Sequence, residues 1–494
     1  MDRGVRPRPL TGRTRTGHMD THGSSLLEPS AAGMRAMVDA AMARIVEHVE
    51  SLPDQPAHDL ADAEHVARSL AEPMPERGMA LDGALDLLFD RAVPVGFNTA
   101  GPGYLAYIPG GGLFHSAVAD LIAGAVNRYV GVWLAAPGLV QLEANVIRWF
   151  ADIVGLPVGS AGILTSGGSL ANLSAIVTAR AARLPEDFLR GTIYVSDQVH
   201  HSVPKAAMLA GFPLERIRSV PSDERFRIRL DALADGIDED RRAGLLPFLL
   251  VGSGGTTNTG AVDDLSALGE MARHQRLWFH VDAAYGGFFA LTERGGAALQ
   301  GIERADSVTL DPHKGLFLPY GTGSLLVRDG ESLRRAHAVG AAYMPAIQEP
   351  GEFVDFCELS PELSRPFRGL GVWLPLTLLG AAVFRSALDE KLDLARVAAE
   401  GLRAIPGVEV VAEPQLSIVA FRAGTAAMPD GERDAASRRL LEAVNRRRRV
   451  YLTSTTTGGR VLLRICVLSF RTHRDRIEAC LEDIRAAAAE VGIG

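Results

Sequence analysis

The chain has 494 residues, of which 47% are hydrophobic and 22% charged, and a formal net charge of −8. This composition is typical of a soluble globular protein with two or three domains, and the acidic balance disfavours a general nucleic-acid or anionic-membrane partner. Three cysteines without CxxC spacing argue against a disulfide framework and a structural zinc site. We therefore expect a cytoplasmic protein, and no stretch approaches the roughly 20 apolar residues of a membrane span.

The N-terminal part of the chain contains one clear helical pattern. Residues 1–28 are rich in Arg, Gly and Thr and predict a disordered tail, or a start extended upstream of Met19. Apolar residues then recur at helical spacing and predict an amphipathic helix over 31–50. We assign 29–112 to a helical segment that ends in a Gly/Pro-rich entrance loop, "AGPGYLAYIPGGG" (100–112).

Short apolar runs alternate with helical patterns over residues 113–384. The candidate strands are "GILTS", "TIYVS", "PFLLVGS", "LWFHVD", "SVTLD" and "GSLLVRD". This alternation predicts a large α/β domain with a mostly parallel sheet between helices. Residues 385–494 contain three further strand patterns and a long helical one, which predict a small α+β domain.

Two polar features follow predicted strands. The segment "ILTSGGSLANLSAIVTAR" (163–180) predicts a strand, a turn and a helix. The amides of Gly168 and Ser169 would then lie at a helix N-terminus that favours an anion, although a plain tight turn explains the glycines equally well. Asp282 ends an apolar strand, where a carboxylate needs a cation or hydrogen-bond donors, and an internal salt bridge or a helix cap is the alternative.

An imidazole and an amine complete the pattern. His200 and His201 follow another strand; their spacing does not suit a metal, and one ring can serve as a flat lid or an acid–base group. Lys314 precedes an apolar run, where a desolvated amine becomes a nucleophile, although an ordinary lysine would extend to the surface. Anion turn, imidazole, acid and lysine, in this order, are what pyridoxal 5'-phosphate (PLP) requires.

At these residues the chain resembles the PLP-dependent group II amino-acid decarboxylases, the family of aromatic-L-amino-acid and glutamate decarboxylases. The motifs that carry the resemblance are "NRYVGVWLAAPGLVQLE", "GTTNTGAVDDL", "HVDAAYGG", "DPHKG" and "LLRICVLSFRT". The resemblance implies a homodimer of fold type I, with sites at the subunit interface, that converts an L-amino acid to an amine and CO2.

The resemblance also implies roles for individual residues. Lys314 would form the Schiff base, Asp282 would pair with the pyridinium, and His200 would stack on the ring and help to place the substrate carboxylate. Tyr343, in the loop "GAAYMPAIQEPGEF", would protonate the substrate Cα. The residues implied around the cofactor are Gly168, Ser169, His200, Thr257, Asp282, Ala284, Asp311, His313 and Lys314.

Several positions depart from the aromatic-amino-acid enzymes. Asp311 replaces asparagine, Gly315 replaces a bulky aromatic residue, and Thr99, Ala100 and Gly131 differ in the substrate entrance. These differences put an aromatic substrate in doubt. The substrate candidates that remain are Tyr107, Ile108, Pro109 and Arg365, and a structural ion pair is the alternative role for Arg365.

Two alternatives to the decarboxylase stay open. One keeps PLP and changes the reaction, to an aldehyde synthase or to another lyase or a transaminase. The other is a catalytically silent homologue with a role in binding or assembly.

Overall fold

The computed structural model describes residues 27–339 and 353–493, which form two compact units. The first unit contains 27–51 and 62–95, and the predicted tail lies almost entirely outside the described residues. Its helices are α1 (Ala31–Ser51), α2 (Ala63–Ser69) and α3 (Leu81–Asp86), with a π-helical turn at Leu87–Ala92. The predicted helix over 31–50 is thus confirmed, and none of the residues of α1 is buried.

The second unit, residues 52–61 and 96–493, contains a seven-stranded sheet. A separate two-stranded ladder joins β1 (His58–Asp59) to β2 (Gly96–Phe97). The strands of the large sheet are β3 (Ala161–Thr165), β4 (Gly191–Ser196), β5 (Ile217–Val220), β6 (Leu246–Ser253), β7 (Trp278–Asp282), β8 (Ser307–Leu310) and β9 (Gly323–Val327). Their order is β3-β9-β8-β7-β6-β4-β5, and β9 runs in the direction opposite to the other six described strands of this sheet. The mostly parallel α/β sheet is confirmed, and β5 is a strand that the sequence pattern missed.

Helices connect and flank these strands. They are α4 (Phe114–Val126), α5 (Pro137–Ile153), α6 (Gly168–Arg183), α7 (Ser202–Leu209), α8 (Leu230–Arg242), α9 (Leu265–Gln275), α10 (Glu293–Ala298), α11 (Pro312–Gly315), α12 (Gly330–His337), α13 (Arg368–Leu379) and α14 (Ala381–Arg403). Every residue of β4 and of β7 is buried, because the strands of a sheet covered on both faces have no exposed side.

The C-terminal part of the same unit contains a four-stranded antiparallel sheet. It consists of β10 (Val408–Val410), β11 (Ile418–Ala423), β12 (Thr453–Thr457) and β13 (Arg460–Cys466), in the order β10-β11-β13-β12, with α15 (Asp430–Asn445) and α16 (Arg474–Glu490). The three predicted strands and the predicted helix are present here, and β12 was missed. The boundaries predicted at residues 113 and 385 stay predictions, since both fall inside one compact unit.

The parallel strands place their polar ends along one edge of the sheet. Strands β7 and β8 run parallel and pair Asp282 with Thr309, and β6 pairs Ser253 with the same Asp282. Parallel strands bring their carboxyl ends to a common edge, where open α/β sheets bind ligands. The segments that follow β3, β4, β6, β7 and β8 therefore meet at this edge.

Over residues 27–339 and 353–493, no single helix is long and apolar enough to cross a bilayer. The pair formed by α13 and α14, bent by 92°, meets the criteria of length and composition only when its two helices are taken together.

Candidate active site

A cavity of about 290 Å³ lies at the carboxyl edge of the parallel strands. Its wall contains all nine residues that the resemblance implied around a cofactor: Gly168, Ser169, His200, Thr257, Asp282, Ala284, Asp311, His313 and Lys314. They come from five separate segments of the chain. The structure therefore brings the predicted constellation together in one place.

The turn between β3 and α6 forms one wall of the cavity. Gly167 has a φ of 154°, and α6 begins at the next residue. As first-turn residues of α6, Gly168 and Ser169 have amide N–H groups without partners inside the helix, and the helix dipole favours an anion beside them. A Cβ atom at Gly168 would lie 3.0 Å from Asp311 Oδ2 and 3.2 Å from the Cβ atom of Ala284, so glycine keeps this space open.

Asp282 is held as a hydrogen-bond acceptor at the end of β7. Its side chain is 9% exposed, and its Oδ2 atom accepts a hydrogen bond of 3.0 Å from Asn172 Nδ2. Its Oδ1 atom accepts from the backbone N–H of Ala284 at 3.2 Å. Two donors compensate the buried carboxylate in part, and each oxygen retains a further lone pair for a ligand.

Lys314 lies on the short helix α11, directly after β8. Its Nζ atom is 2.8 Å from Asp311 Oδ2, and its side chain is 20% exposed. Asp311 is almost fully buried, and its Oδ1 atom has no hydrogen-bond partner among the described residues. The amine is thus paired with one carboxylate, Asp311, on the wall of the same cavity that contains Asp282.

His200 is oriented by hydrogen bonds to one of its two ring nitrogens. Its Nδ1 atom lies 2.8 Å from Ser202 Oγ and accepts from the backbone N–H of Ser202 at 3.3 Å. Burial lowers the pKa of His200; Asp282 opposes this shift, and Lys314 adds to it. The ring is therefore neutral near pH 7, with its hydrogen on Nε2 because Nδ1 is an acceptor.

His313 also has a defined tautomer. Its Nδ1 atom is 2.7 Å from the carbonyl oxygen of Thr322, which can only accept, so the hydrogen lies on Nδ1. Its Nε2 atom lies 3.8 Å from Asp311 Oδ2.

The predicted substrate residues do not line this cavity. Tyr107, Ile108 and Pro109 lie on the entrance loop, which packs beside the cavity wall: a Cβ atom at Gly110 would be 2.1 Å from the carbonyl oxygen of His313. Tyr107 is half exposed and has a φ of 48°.

Arg365 and Tyr343 complete the predicted site residues. Arg365 forms a fully buried ion pair with Glu143 and packs over Phe356, which corresponds to the structural alternative rather than to a place at the cavity. Tyr343 lies outside the described residues.

Sequence reasoning missed several polar residues of the cavity wall. These are Ser166, Asn172, Ser202, Ser253 and Thr256. Asn172 carried a usable signal, because it lies four residues after Gly168 and so shares its face of α6. The others lie at strand ends, helix starts or turns, and only the assembled sheet shows that these positions meet at one cavity.

The fold explains one departure from the aromatic-amino-acid enzymes. A Cβ atom at Gly315 would lie 2.7 Å from the Cβ atom of Phe288, so a larger residue does not fit at this position. Over the described residues, no group of three or more His, Cys, Asp or Glu side chains could hold a metal ion.

Comparison with known proteins decides the family. The model of the pyridoxal-dependent decarboxylase conserved domain matches residues 89–424. The chain belongs to the pyridoxal-dependent decarboxylase family. Its amino-acid sequence is 35% identical over 473 residues to an aromatic-L-amino-acid decarboxylase of Bacillus atrophaeus. The matched region covers 95% of this chain and 98% of the relative.

Other family relatives differ in activity. A phenylacetaldehyde synthase of Arabidopsis thaliana is 26% identical and covers 90% of this chain and 93% of the relative. The crystal structure of Oryza sativa TDC with PLP and tryptamine superposes with a TM-score of 0.89 at 27% identity, over 94% of this chain and 99% of that chain. The fold is therefore that of the fold type I PLP enzymes, and the protein is a PLP-dependent carboxy-lyase.

The cavity fits PLP. It offers helix N-terminal amides for a phosphate, a carboxylate for a ring nitrogen and an amine for an aldehyde, and the glycine at position 168 leaves room beside the anion turn.

Proposed function

We propose that the chain converts an L-amino acid to the corresponding amine and CO2, with PLP held on Lys314. The observation that carries this proposal is the placement of Asp282 and Lys314 on one cavity wall, after the neighbouring strands β7 and β8. A carboxylate and an amine on one small cavity are what the ring nitrogen and the aldehyde of PLP require.

The cavity residues have separable tasks in this proposal. PLP supplies an aldehyde that bonds to an amino group and a protonated ring that accepts the electron pair left by CO2. The amides of Gly168 and Ser169 would hold its phosphate, and Asp282 would keep the proton on its ring nitrogen. Lys314 must lose a proton to act as a nucleophile, and Asp311 is the carboxylate in contact with it.

His200 is placed to orient the substrate. Because its Nδ1 atom is an acceptor toward Ser202, its Nε2–H group is the donor available to the cavity. We propose that it contacts the ring face and donates to the substrate carboxylate. A neutral imidazole can do this without adding a charge beside Lys314.

Two further roles in this proposal concern the substrate side chain and the final protonation. We propose that Tyr107, Ile108 and Pro109 contact the substrate side chain from the loop beside His313. Tyr343, which lies outside the described residues, stays the predicted donor of the proton to Cα.

An aldehyde synthase is the second candidate, since one relative is a phenylacetaldehyde synthase. The two activities differ in the organic product, an amine or an aldehyde. The proposed Tyr343 proton donor favours the amine.

We further propose a homodimer in the cytoplasm. Helix α4 exposes an apolar face, with Leu121 52%, Ile122 42% and Val126 49% exposed. Exposed patches of this kind mark interaction sites, and a second copy of the chain is the partner implied by the family resemblance. The three cysteines are free and buried, as expected in a reducing compartment.

A substrate panel tests the proposed function. Purified protein with added PLP is incubated separately with aromatic, acidic and other L-amino acids, and CO2, amine and aldehyde are measured. We expect equal amounts of CO2 and amine from one class of amino acid, and no product with Lys314→Ala. CO2 with aldehyde would support the synthase, and no CO2 from any amino acid would contradict both candidates.

A further inference from the structure

A buried hydrogen-bond network surrounds the side chain of Asn172 on α6. Asn172 is 1% exposed, and its Nδ2 group donates to Asp282 Oδ2 and to Ser202 Oγ, both at 3.0 Å. Its Oδ1 atom accepts from Thr309 Oγ1 at 2.8 Å and is 3.0 Å from His280 Nε2. All four hydrogen-bonding positions of the amide are therefore used.

The network has a single consistent set of donors and acceptors. The ionised Asp282 can only accept, so the Nδ2 end of Asn172 must face it and the Oδ1 end must face His280. His280 then carries its hydrogen on Nε2. Complete burial lowers the pKa of His280 to about 4, so the ring is neutral and its Nδ1 atom accepts from Ser307 Oγ at 2.8 Å.

The other branch of the network leads to His200. Ser202 Oγ accepts the second N–H of Asn172, so its own hydroxyl hydrogen is free to be donated to His200 Nδ1, 2.8 Å away. One amide thus contacts the carboxylate assigned to the ring nitrogen and, through one hydroxyl, supports the tautomer of the imidazole assigned to the ring face, which the backbone N–H of Ser202 also favours.

We propose that Asn172 is a positioning residue, which fixes Asp282 and the Nε2–H tautomer of His200 relative to each other before the cofactor binds. This inference rests on the proposed function, because it assigns both partners their roles toward PLP. His280, Ser307 and Thr309 are the buried groups that hold the amide in the required orientation.

The expected effect is on cofactor affinity as well as on turnover. Asn172→Ala removes the hydrogen bond that Asn172 donates to the charged Asp282. We expect this loss to weaken PLP binding about 10- to 100-fold. Asn172→Asp preserves the volume and the acceptor but places a carboxylate oxygen against Asp282, so it should bind PLP more weakly still.

The test measures the PLP dissociation constant of the apoprotein by equilibrium dialysis, without substrate. The variants are Asn172→Ala, Asn172→Asp, Asp282→Asn and the double variant of Asn172→Ala with Asp282→Asn. If Asn172 acts through Asp282, the double variant should bind PLP within about 2-fold of Asp282→Asn, since effects within one network are not additive. Purely structural damage to α6 would instead add to the effect of Asp282→Asn.

A matched control lies on the same helix. Thr178 is also buried, but its hydroxyl donates to the carbonyl oxygen of Ser174, away from the network. Thr178→Val should leave the PLP dissociation constant unchanged. If Asn172→Ala fails to fold, the isosteric Asn172→Asp carries the test.

Two results would overturn the inference. One is wild-type PLP affinity in Asn172→Asp, and the other is full additivity in the double variant. Failure of the proposed function looks different, because it would appear as normal PLP binding by the wild-type chain without CO2 release from any amino acid.

Discussion

Replacing Asp282 with asparagine isolates the charge of the carboxylate at the end of β7. The substitution preserves the size of a side chain that is 9% exposed and contacts Asn172 Nδ2 and the backbone N–H of Ala284. It removes the negative charge that, in the proposed function, keeps a proton on the ring nitrogen of PLP. The volume is kept, one of the two donors then faces an amide NH2 group, and the cofactor loses a charged partner.

The magnitude follows from the kind of bond that is lost. A hydrogen bond to a charged group contributes about 1.5–3 kcal/mol. Because about 1.4 kcal/mol corresponds to a factor of ten, Asp282→Asn should bind PLP about 10- to 150-fold more weakly. Turnover should fall further, since the charge on the ring is also needed to accept electrons from the substrate.

Equilibrium dialysis of the apoprotein against PLP measures this effect, with Asp240→Asn as the matched control. Asp240 is another buried carboxylate, but it accepts from the Tyr194 hydroxyl at 2.6 Å and pairs with Arg218, and it does not line the cavity. Asp240→Asn should lower the unfolding temperature and leave PLP affinity unchanged. Unchanged PLP affinity in Asp282→Asn, or equal weakening in both variants, would refute the reasoning.

Three further predictions concern the entrance loop, a buried amine and the response to pH. Tyr343→Phe should divert product from amine to aldehyde in a product assay by liquid chromatography, and an unchanged amine yield would exclude its assigned role. Lys391 is fully buried, with its Nζ atom 2.6 Å from the carbonyl oxygen of Thr472 and 2.8 Å from Glu390 Oε2. Lys391→Met should cost about 1–3 kcal/mol in urea unfolding, because it leaves a buried carbonyl without this donor, and wild-type stability would contradict that origin. Burial lowers the pKa of His280 from 6.5 to about 4, so between these pH values the unfolded chain binds a proton that the folded chain does not. The free energy of unfolding should therefore fall by up to about 3 kcal/mol as the pH drops through this window; His280→Gln should lose this component, and an identical pH dependence in the variant would count against it.

Strands of the large sheet were predictable from the sequence where both of their faces are buried. Strands such as β7 and β8 are buried along their whole length because both faces of the sheet are covered, and they were identified as short, turn-bounded runs between helical patterns. Four strands were not predicted: β1 and β2, of two residues each, and the longer strands β5 and β12. The edge strand β5, "IRSV", and the hairpin strand β12, "TSTTT", contain polar and partly exposed residues. Their sequences therefore resemble those of turns.

Active-site residues were predictable from the sequence where they lie at or directly after the end of a predicted strand. Asp282 ends a predicted strand, His200 and Lys314 each follow one, and parallel strands end at a common edge. Asn172 and Arg365 show the limit of this reasoning. Asn172 is a polar residue within a helix, which is normally assigned to the solvent face, and Arg365 lies in irregular chain before α13. Only the assembled fold shows that their buried partners are Asp282 and Glu143, respectively.

The position of the covalent bond tests the central claim most directly. The chain contains three lysines, Lys205, Lys314 and Lys391, of which Lys205 is exposed and Lys391 is buried. Protein loaded with PLP is reduced with borohydride, digested and mapped by mass spectrometry. The account predicts one pyridoxyl phosphate per chain, on Lys314, and none in Lys314→Ala. A label confined to Lys205, or no label on a protein that retains PLP, would contradict it.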